Sequence, residues 1–307
     1  MITPKNLAVS GMSLLLLAAV LGFFTVHPAA SKPAAAPPPK AVPPVPVTTT
    51  TAPPTTTAAA PSPPPPRIAM SWNNAGAFIV HTHDVDPTWL GQQLRSAGFG
   101  WVAVYLGSSG DATPIDRDWV YRFILASGLP VGGWTVLNGN AHADAGFAAR
   151  QLKLDGLAFY IANAEASYQG RPGASQSFVT RFRQLEPTIT AGLSSLCDAS
   201  GIGLGPWARA GFAFLPQAYV NDFGGNVAPS VCVRAASAYF PLSAIHPTVG
   251  SYKGQKGWMS PQQYVPLLAA AGTTGFSVYN AETNMSAQAW QAYGQAIRQQ
   301  HIAVRAS

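Results

Sequence analysis

Residues 67–307 read as a single (β/α)8 barrel, an α/β fold, on three observations. Short apolar runs alternate with helical segments eight times in about 240 residues, the size and order of one such barrel. No G-x-G-x-x-G turn follows any run, and His81-Thr-His-Asp-Val-Asp86 stands after the first, which argues against an open doubly wound sheet. Polar and aromatic side chains gather at the C-terminal ends of the runs, in a chain of which only 10% is charged.

The first 66 residues stand apart by composition, with three lysines (Lys5, Lys32, Lys40), no arginine and no acid. Lys5 precedes an apolar stretch from Leu7 to Val26, so residues 1–27 read as a signal peptide or a signal anchor. Ala30 suits the position before a cut, but Pro28 stands where a small side chain is preferred. The apolar stretch is also long enough to cross a bilayer uncut. Either way the rest of the chain is expected outside the cell or at its surface, with membrane contact only through residues 7–26. Residues 28–66 hold 15 of the 28 prolines, among Ala and Thr. Such a segment buries too little apolar surface to fold and reads as a disordered linker, reaching about 120 Å in polyproline II. Its threonine runs, Thr48–Thr51 and Thr55–Thr57, are candidate glycosylation positions.

The remaining residues carry 15 of the 18 Lys and Arg and all 12 acids. That small positive balance, with no basic run interleaved with aromatics, excludes nucleic acid as an expected partner. No cofactor is expected, and the chain reads as a monomer. The two cysteines, Cys197 and Cys232, are an even pair in an exported chain and are expected to form a disulfide between two neighbouring loops.

Strands are predicted over Ala77–His83, Trp101–Gly107, Pro130–Val136, Leu157–Asn163, Thr188–Ser194, Gly211–Tyr219, Pro247–Tyr252 and Gly275–Asn280. Helices are predicted over Pro87–Ala97, Asp118–Ser127, Ala143–Leu154, Ser175–Leu185, Pro261–Ala271 and Ser286–Gln300. Asp86 and Ser260 stand as caps, with Gly98, Gly128, Gly156, Pro187 and Gly272 as stops. The connection after the fifth strand is short and glycine-rich, and its helix is the least marked.

In such a barrel, chemistry collects where strands end. The first strand ends in His81, His83, Asp84 and Asp86; the second leads into Ser108, Ser109 and Asp111. The third offers Trp134 and Asn138. The fourth offers Asn163, Glu165 and Tyr168, with Phe159, Ile161, Asn163 and Glu165 on one face by strand alternation. Gln217, Tyr219, Asn221 and Asp222 follow the sixth, Tyr252 and Lys253 the seventh, and Tyr279, Asn280 and Glu282 the eighth. Aromatics beside amides and carboxylates suit a sugar, whose apolar faces pack on rings while its hydroxyls bond the polar groups.

Glycoside hydrolysis needs a proton donor and usually a second carboxylate. Glu165 is the candidate acid, since it leaves a buried strand where desolvation raises a carboxyl pKa; the alternative is a carboxylate paired with a loop cation. Asp222 and Glu282 are candidates for the second carboxylate, followed by Asp84; Asp222 also reads as part of a turn. Asn163 either orients Glu165 or holds an N-acetyl group. His81 and His83, on one strand face, suggest a metal-dependent hydrolase, but further ligands are wanting. No G-x-S-x-G elbow supports a serine nucleophile.

Phe159-Tyr-Ile-Ala-Asn-Ala-Glu165, followed by Pro216-Gln-Ala-Tyr219, resembles the glycoside-hydrolase-like barrels of actinobacteria and their phages, a lysozyme-like group distantly similar to glycosidase families 25 and 18. The resemblance spans residues from about 70 to 300. It implies a barrel acting on polysaccharide or peptidoglycan glycan, with Glu165 as the acid. In those families the fourth strand ends in Asp-x-Glu, and Asn163 stands here where the Asp would be. That departure leaves two readings open besides the metal-dependent one. The first is an exported glycoside hydrolase, with Trp134, Tyr219, Asn221 and Tyr279 lining the sugar subsites. The second is an inactive surface barrel that binds glycan.

Overall fold

A computed structural model describes residues 67–111, 115–153, 156–282 and 285–306. The export segment (1–27) and the linker (28–66) lie outside the described residues, as does the side chain of His83. Eight parallel strands close into one barrel in sequence order. They are β1 (Gly76–Ile79), β2 (Trp101–Ser108), β3 (Val131–Val136), β4 (Phe159–Asn163), β5 (Thr190–Leu196), β6 (Ala213–Gln217), β7 (Thr248–Gly250) and β8 (Ser277–Tyr279). Closure is made by β1 on β8, with Gly76 opposite Ser277 and Phe78 opposite Tyr279. The principal helices between and after the strands are α1 (Pro87–Ala97), α2 (Arg117–Ser127), α3 (Ala141–Gln151), α4 (Pro172–Leu185), α5 (Gly205–Arg209), α6 (Pro229–Ala236), α7 (Pro261–Ala271) and α8 (Ala287–Ala306). No helix among the described residues is long and apolar enough to cross a membrane.

The predicted punctuation does the work expected of it. The Asp86 carboxylate accepts from Trp89 N at 2.7 Å to start α1, and Gly98, at φ 92°, ends it. Asp116 caps α2 through Trp119 N at 2.9 Å, two residues before the predicted start. At α7, Ser260 N donates to Gln263 Oε1 at 2.7 Å. The first strand is shorter than predicted: it stops at Ile79, and Thr82–Asp84 turn as a single 3-10 helix, so His81 and His83 do not share a strand face. The connection after β6 holds α6, which opens on Pro229 behind Ala228 and so shows no polar cap in the sequence.

Side chains alternate along each strand between the barrel interior and the helical shell. On β4, Phe159 and Ile161 pack inside with Phe78, Trp101, Trp134 and Leu215. Tyr160 and Ala162 pack outward into the larger core. Large rings fill the interior because glycines face them: a Cβ on Gly76 would stand 2.0 Å from the Trp101 ring, and one on Gly132 2.4 Å from Phe159. At the foot of the barrel, Trp72 packs edge-on against Trp101 and Phe159 and stacks on His246.

His246 is fully buried, and burial pushes its pKa down from the ordinary 6.5 to about 4. Between those two values the unfolded chain holds a proton that the folded chain refuses. The associated stability is therefore complete above pH 6.5 and is lost as pH falls toward 4, amounting to about 3 kcal/mol. In His246→Leu, thermal unfolding midpoints should fall less than in the parent between pH 7 and 4.5. An equal fall in both proteins would contradict this.

The disulfide is present, joining Cys197 and Cys232. Cys197 directly follows β5, but Cys232 lies within α6 rather than in a loop, so the bond ties the β5 exit to a helix.

Candidate active site

Glu165 follows the last residues of β4 at the C-terminal rim. The chain turns there because its carbonyl accepts from Tyr168 N at 2.9 Å, opening a 3-10 turn over Ala166–Tyr168. The Tyr168 hydroxyl then donates to the buried Asp144 carboxylate at 2.9 Å. Asp144 also accepts from Ser109 Oγ and from the backbone N–H groups of Asn138 and Gly139. One buried carboxylate thus joins the exits of β2, β3 and β4 and fixes the turn that carries Glu165.

The Glu165 side chain is half-buried. Its Oε1 accepts two amide bonds, from Asn163 Nδ2 at 2.9 Å and from Gln217 Nε2 at 2.7 Å. Gln217 Nε2 also lies 3.0 Å from Asn163 Oδ1, so both polar ends of Asn163 are engaged inside this triad. The sequence pairs Asn163 with Glu165 by alternation. Gln217, on β6, joins them only through closure of the barrel. No lysine, arginine or histidine pairs with Glu165 among the described residues, and Oε2 has no hydrogen-bond partner among them.

A layer of rings covers the barrel interior beside this triad. Tyr105 meets Trp134 with centroids 4.6 Å apart, Trp134 meets Tyr279 at 6.1 Å, and Tyr279 meets Tyr219 at 5.6 Å and Tyr252 at 6.0 Å. Burial pushes the Tyr219, Tyr252 and Tyr279 phenols well above their ordinary range, so all three remain O–H donors at neutral pH. Glu165 adds to that shift at both Tyr219 and Tyr279. The Tyr219 and Tyr279 hydroxyls make no hydrogen bond to another described residue.

The structure separates the other candidates. Trp134 is 4% exposed and donates its ring N–H to Ile79 O, and Asn221 is 1% exposed with its amide engaged by Tyr252 O and the Tyr264 hydroxyl. Both are held within the fold rather than offered to a ligand. Asp222 is half-buried; it accepts from the Tyr252 hydroxyl, and from Gln255 N at 2.8 Å. Tyr219 feels the charge of both Glu165 and Asp222. Asn280 is buried, with Oδ1 unpartnered among the described residues. Asp84 is exposed in the 3-10 turn after β1.

Glu282 is 3% exposed and committed to β1. It accepts from the backbone N–H groups of Val80 and His81, and from His81 Nδ1 at 2.8 Å. That side-chain hydrogen bond holds the His81 imidazole above its ordinary range. Glu282→Ala leaves two strand-end N–H groups unpaired and should cost about 2–3 kcal/mol. An unfolding midpoint lower by roughly 5–10 °C is expected for a domain of this size; an unchanged midpoint would deny Glu282 this role. Among the described residues, no group of three or more His, Cys, Asp or Glu side chains converges as a metal site.

A recess of about 710 Å³ opens on the same rim between the exits of β3 and β4, lined by Gly139, His142, Arg171 and Ser177 among others. Glu165 is not part of its wall.

No protein-family model and no curated protein sequence matches the chain. Solved structures match in fold. Active domain 2 of a chitinase from Pyrococcus furiosus, studied as catalytic-site mutants, aligns at 11% identity over 76% of this chain and 97% of its own, with a TM-score of 0.53. A class V chitinase from Pseudomonas fluorescens Pf-5 aligns at 12% identity over 73% and 99%, with a TM-score of 0.55. A family 99 endo-α-mannosidase from Bacteroides thetaiotaomicron aligns at 11% identity over 78% and 100%, with a TM-score of 0.56. The barrel is therefore of the kind these glycoside hydrolases use.

Proposed function

We propose that this chain is an exported glycoside hydrolase that cuts a cell-wall or other polysaccharide, with Glu165 as general acid. The observation that carries the reading is the state of Glu165 at the barrel mouth: one oxygen is fixed by the Asn163 and Gln217 amides, and among the described residues the other has no hydrogen-bond partner and no cation pairs with the carboxylate. Two idle phenol hydroxyls stand in the same layer to meet sugar hydroxyls.

In this reading protonated Glu165 passes its proton from Oε2 to the glycosidic oxygen as the bond from that oxygen to the anomeric carbon breaks. A water then completes the sugar, giving its proton to a carboxylate. Asp222 fills that role better than Glu282, which is spent on the end of β1. Asn163 acts as an orienting group for Glu165, since both ends of its amide are engaged. Export rests on the apolar segment at residues 7–26, and the disulfide agrees with an oxidising compartment. The proline-rich linker, residues 28–66, would carry the barrel out to its polymer.

One observation favours a second reading, a barrel that binds glycan without cutting it. Both Asp222 oxygens already accept protein bonds, and Asn163 replaces the family carboxylate. Incubating residues 67–307 with peptidoglycan and a panel of polysaccharides separates the two. New reducing ends are expected from the hydrolase; co-sedimentation with polymer and no new ends would identify the binder.

A further inference from the structure

We infer that the loop after β7, residues 251–260, is a second saccharide subsite, specific for sugars that carry a negative charge. The inference deepens the glycan reading above and rests on it for the polymer, though not for turnover.

The loop is built rather than slack. Ser251 N donates to Tyr279 O at 2.7 Å, and the Tyr252 hydroxyl donates to Asp222. Gln255 N donates to Asp222 Oδ1 at 2.8 Å, and Lys256 N to Asn221 O at 2.7 Å. Gly254 and Gly257 bridge each other across a two-residue tip, with N–H to O distances of 3.1 and 3.0 Å. Gly254 lies so close to the neighbouring loop that a Cβ there would stand 2.4 Å from Asn221 O. The tip is therefore locked against the residues that follow β6, on the rim that carries Glu165.

On this fixed frame stands Trp258, 58% exposed, in ring contact with no other aromatic among the described residues. An indole left largely in water on a pinned loop is a platform for the apolar face of a sugar ring. Lys253 and Lys256 precede it on the same loop; both are exposed and neither makes an ion pair among the described residues. The nearest acid, Asp222, lies against the loop and is spent on the loop's own Tyr252 hydroxyl and Gln255 N. From residue 223 to residue 281 the sequence holds Arg234, Lys253 and Lys256 and no Asp or Glu. A ring platform on a loop with two ammonium groups that make no ion pair among the described residues, and whose one contacting acid already accepts two bonds from the loop, fits a sugar bearing carboxylate or phosphate better than a neutral one.

The test is binding by the full chain carrying Glu165→Gln, so that turnover plays no part. The probes are polygalacturonate, a phosphodiester-linked polysaccharide, neutral chitin oligosaccharides and phosphatidylglycerol vesicles. Tighter binding to one or both anionic glycans than to chitin is expected, and the preferred arm tells carboxylate from phosphate. Trp258→Ala should weaken that binding about tenfold, the scale of a lost ring contact with a desolvated partner. Lys253→Gln with Lys256→Gln should abolish the anionic preference and flatten its salt dependence. These side chains are exposed, so unfolding midpoints should not move, and a loss of binding is then read as a loss of the subsite. Equal binding to neutral and anionic glycans, an unchanged affinity in Trp258→Ala, or a Lys253→Gln, Lys256→Gln variant that loses vesicle binding and keeps its glycan binding would overturn the inference. Absent turnover in the parent chain, with anionic binding intact, would fail the hydrolase and leave the subsite standing.

Discussion

Glu165→Gln should reduce polysaccharide cleavage at least 100-fold while leaving the fold and polymer binding in place. The size follows from what a positioned proton donor supplies, about 10²–10⁴ in rate. Glutamine is the informative replacement because it keeps the side-chain shape, so an amide can still face Asn163 and Gln217. What it cannot do is give up a proton to a leaving sugar. Rate measurements on the parent and the variant should therefore show a collapsed kcat beside a KM that moves little. If cleavage persists, the chemistry belongs elsewhere on the rim, with Asp222 the next residue to replace. Asn163→Ala and Gln217→Ala should each give a smaller loss, since either removes one of the two donors that hold Oε1.

Removing the disulfide should have the largest effect on stability. Cys197 and Cys232 are 35 residues apart, and closing a loop of that length restricts the unfolded chain by about 4 kcal/mol in the chain-entropy model. Cys232 is fully buried, against Ala218, Val227 and Val231. A Cys197→Ser, Cys232→Ser double variant should melt roughly 8–15 °C below the oxidised parent. The parent treated with reductant should approach the same value. A parent indifferent to reductant would show that the bond contributes little in solution.

The barrel was legible because its signals are local. Each strand is a short apolar run, and residues such as Asp86, Gly98, Gly128 and Gly272 mark helix ends within a few positions of where they act. α6 escaped that reading because Ala228 gives no capping signal before Pro229. In the site, strand alternation alone places Asn163 and Glu165 together. The rest depends on closure. Gln217 reaches Glu165 across 52 residues of sequence, and Glu282 reaches the end of β1 across 201. Strand-end position also says nothing about whether a side chain meets solvent, which is why Trp134 and Asn221 look like sugar ligands in the sequence and prove to be packing and hydrogen-bonding parts of the fold. Trp258 carries no strand-end signal at all: it lies six residues past the predicted end of its strand, and only its exposure on a pinned loop distinguishes it from a core tryptophan.

Leaving-group dependence separates a proton donor from a residue that merely keeps the site in shape. With a sugar as leaving group the departing oxygen needs a proton, whereas a dinitrophenolate departs without one. Cleavage of matched sugar and dinitrophenyl glycosides by the parent and Glu165→Gln should show a deficit of at least about 100-fold on the first and close to none on the second for the bond-breaking step. The same deficit on both substrates would contradict Glu165 as the general acid.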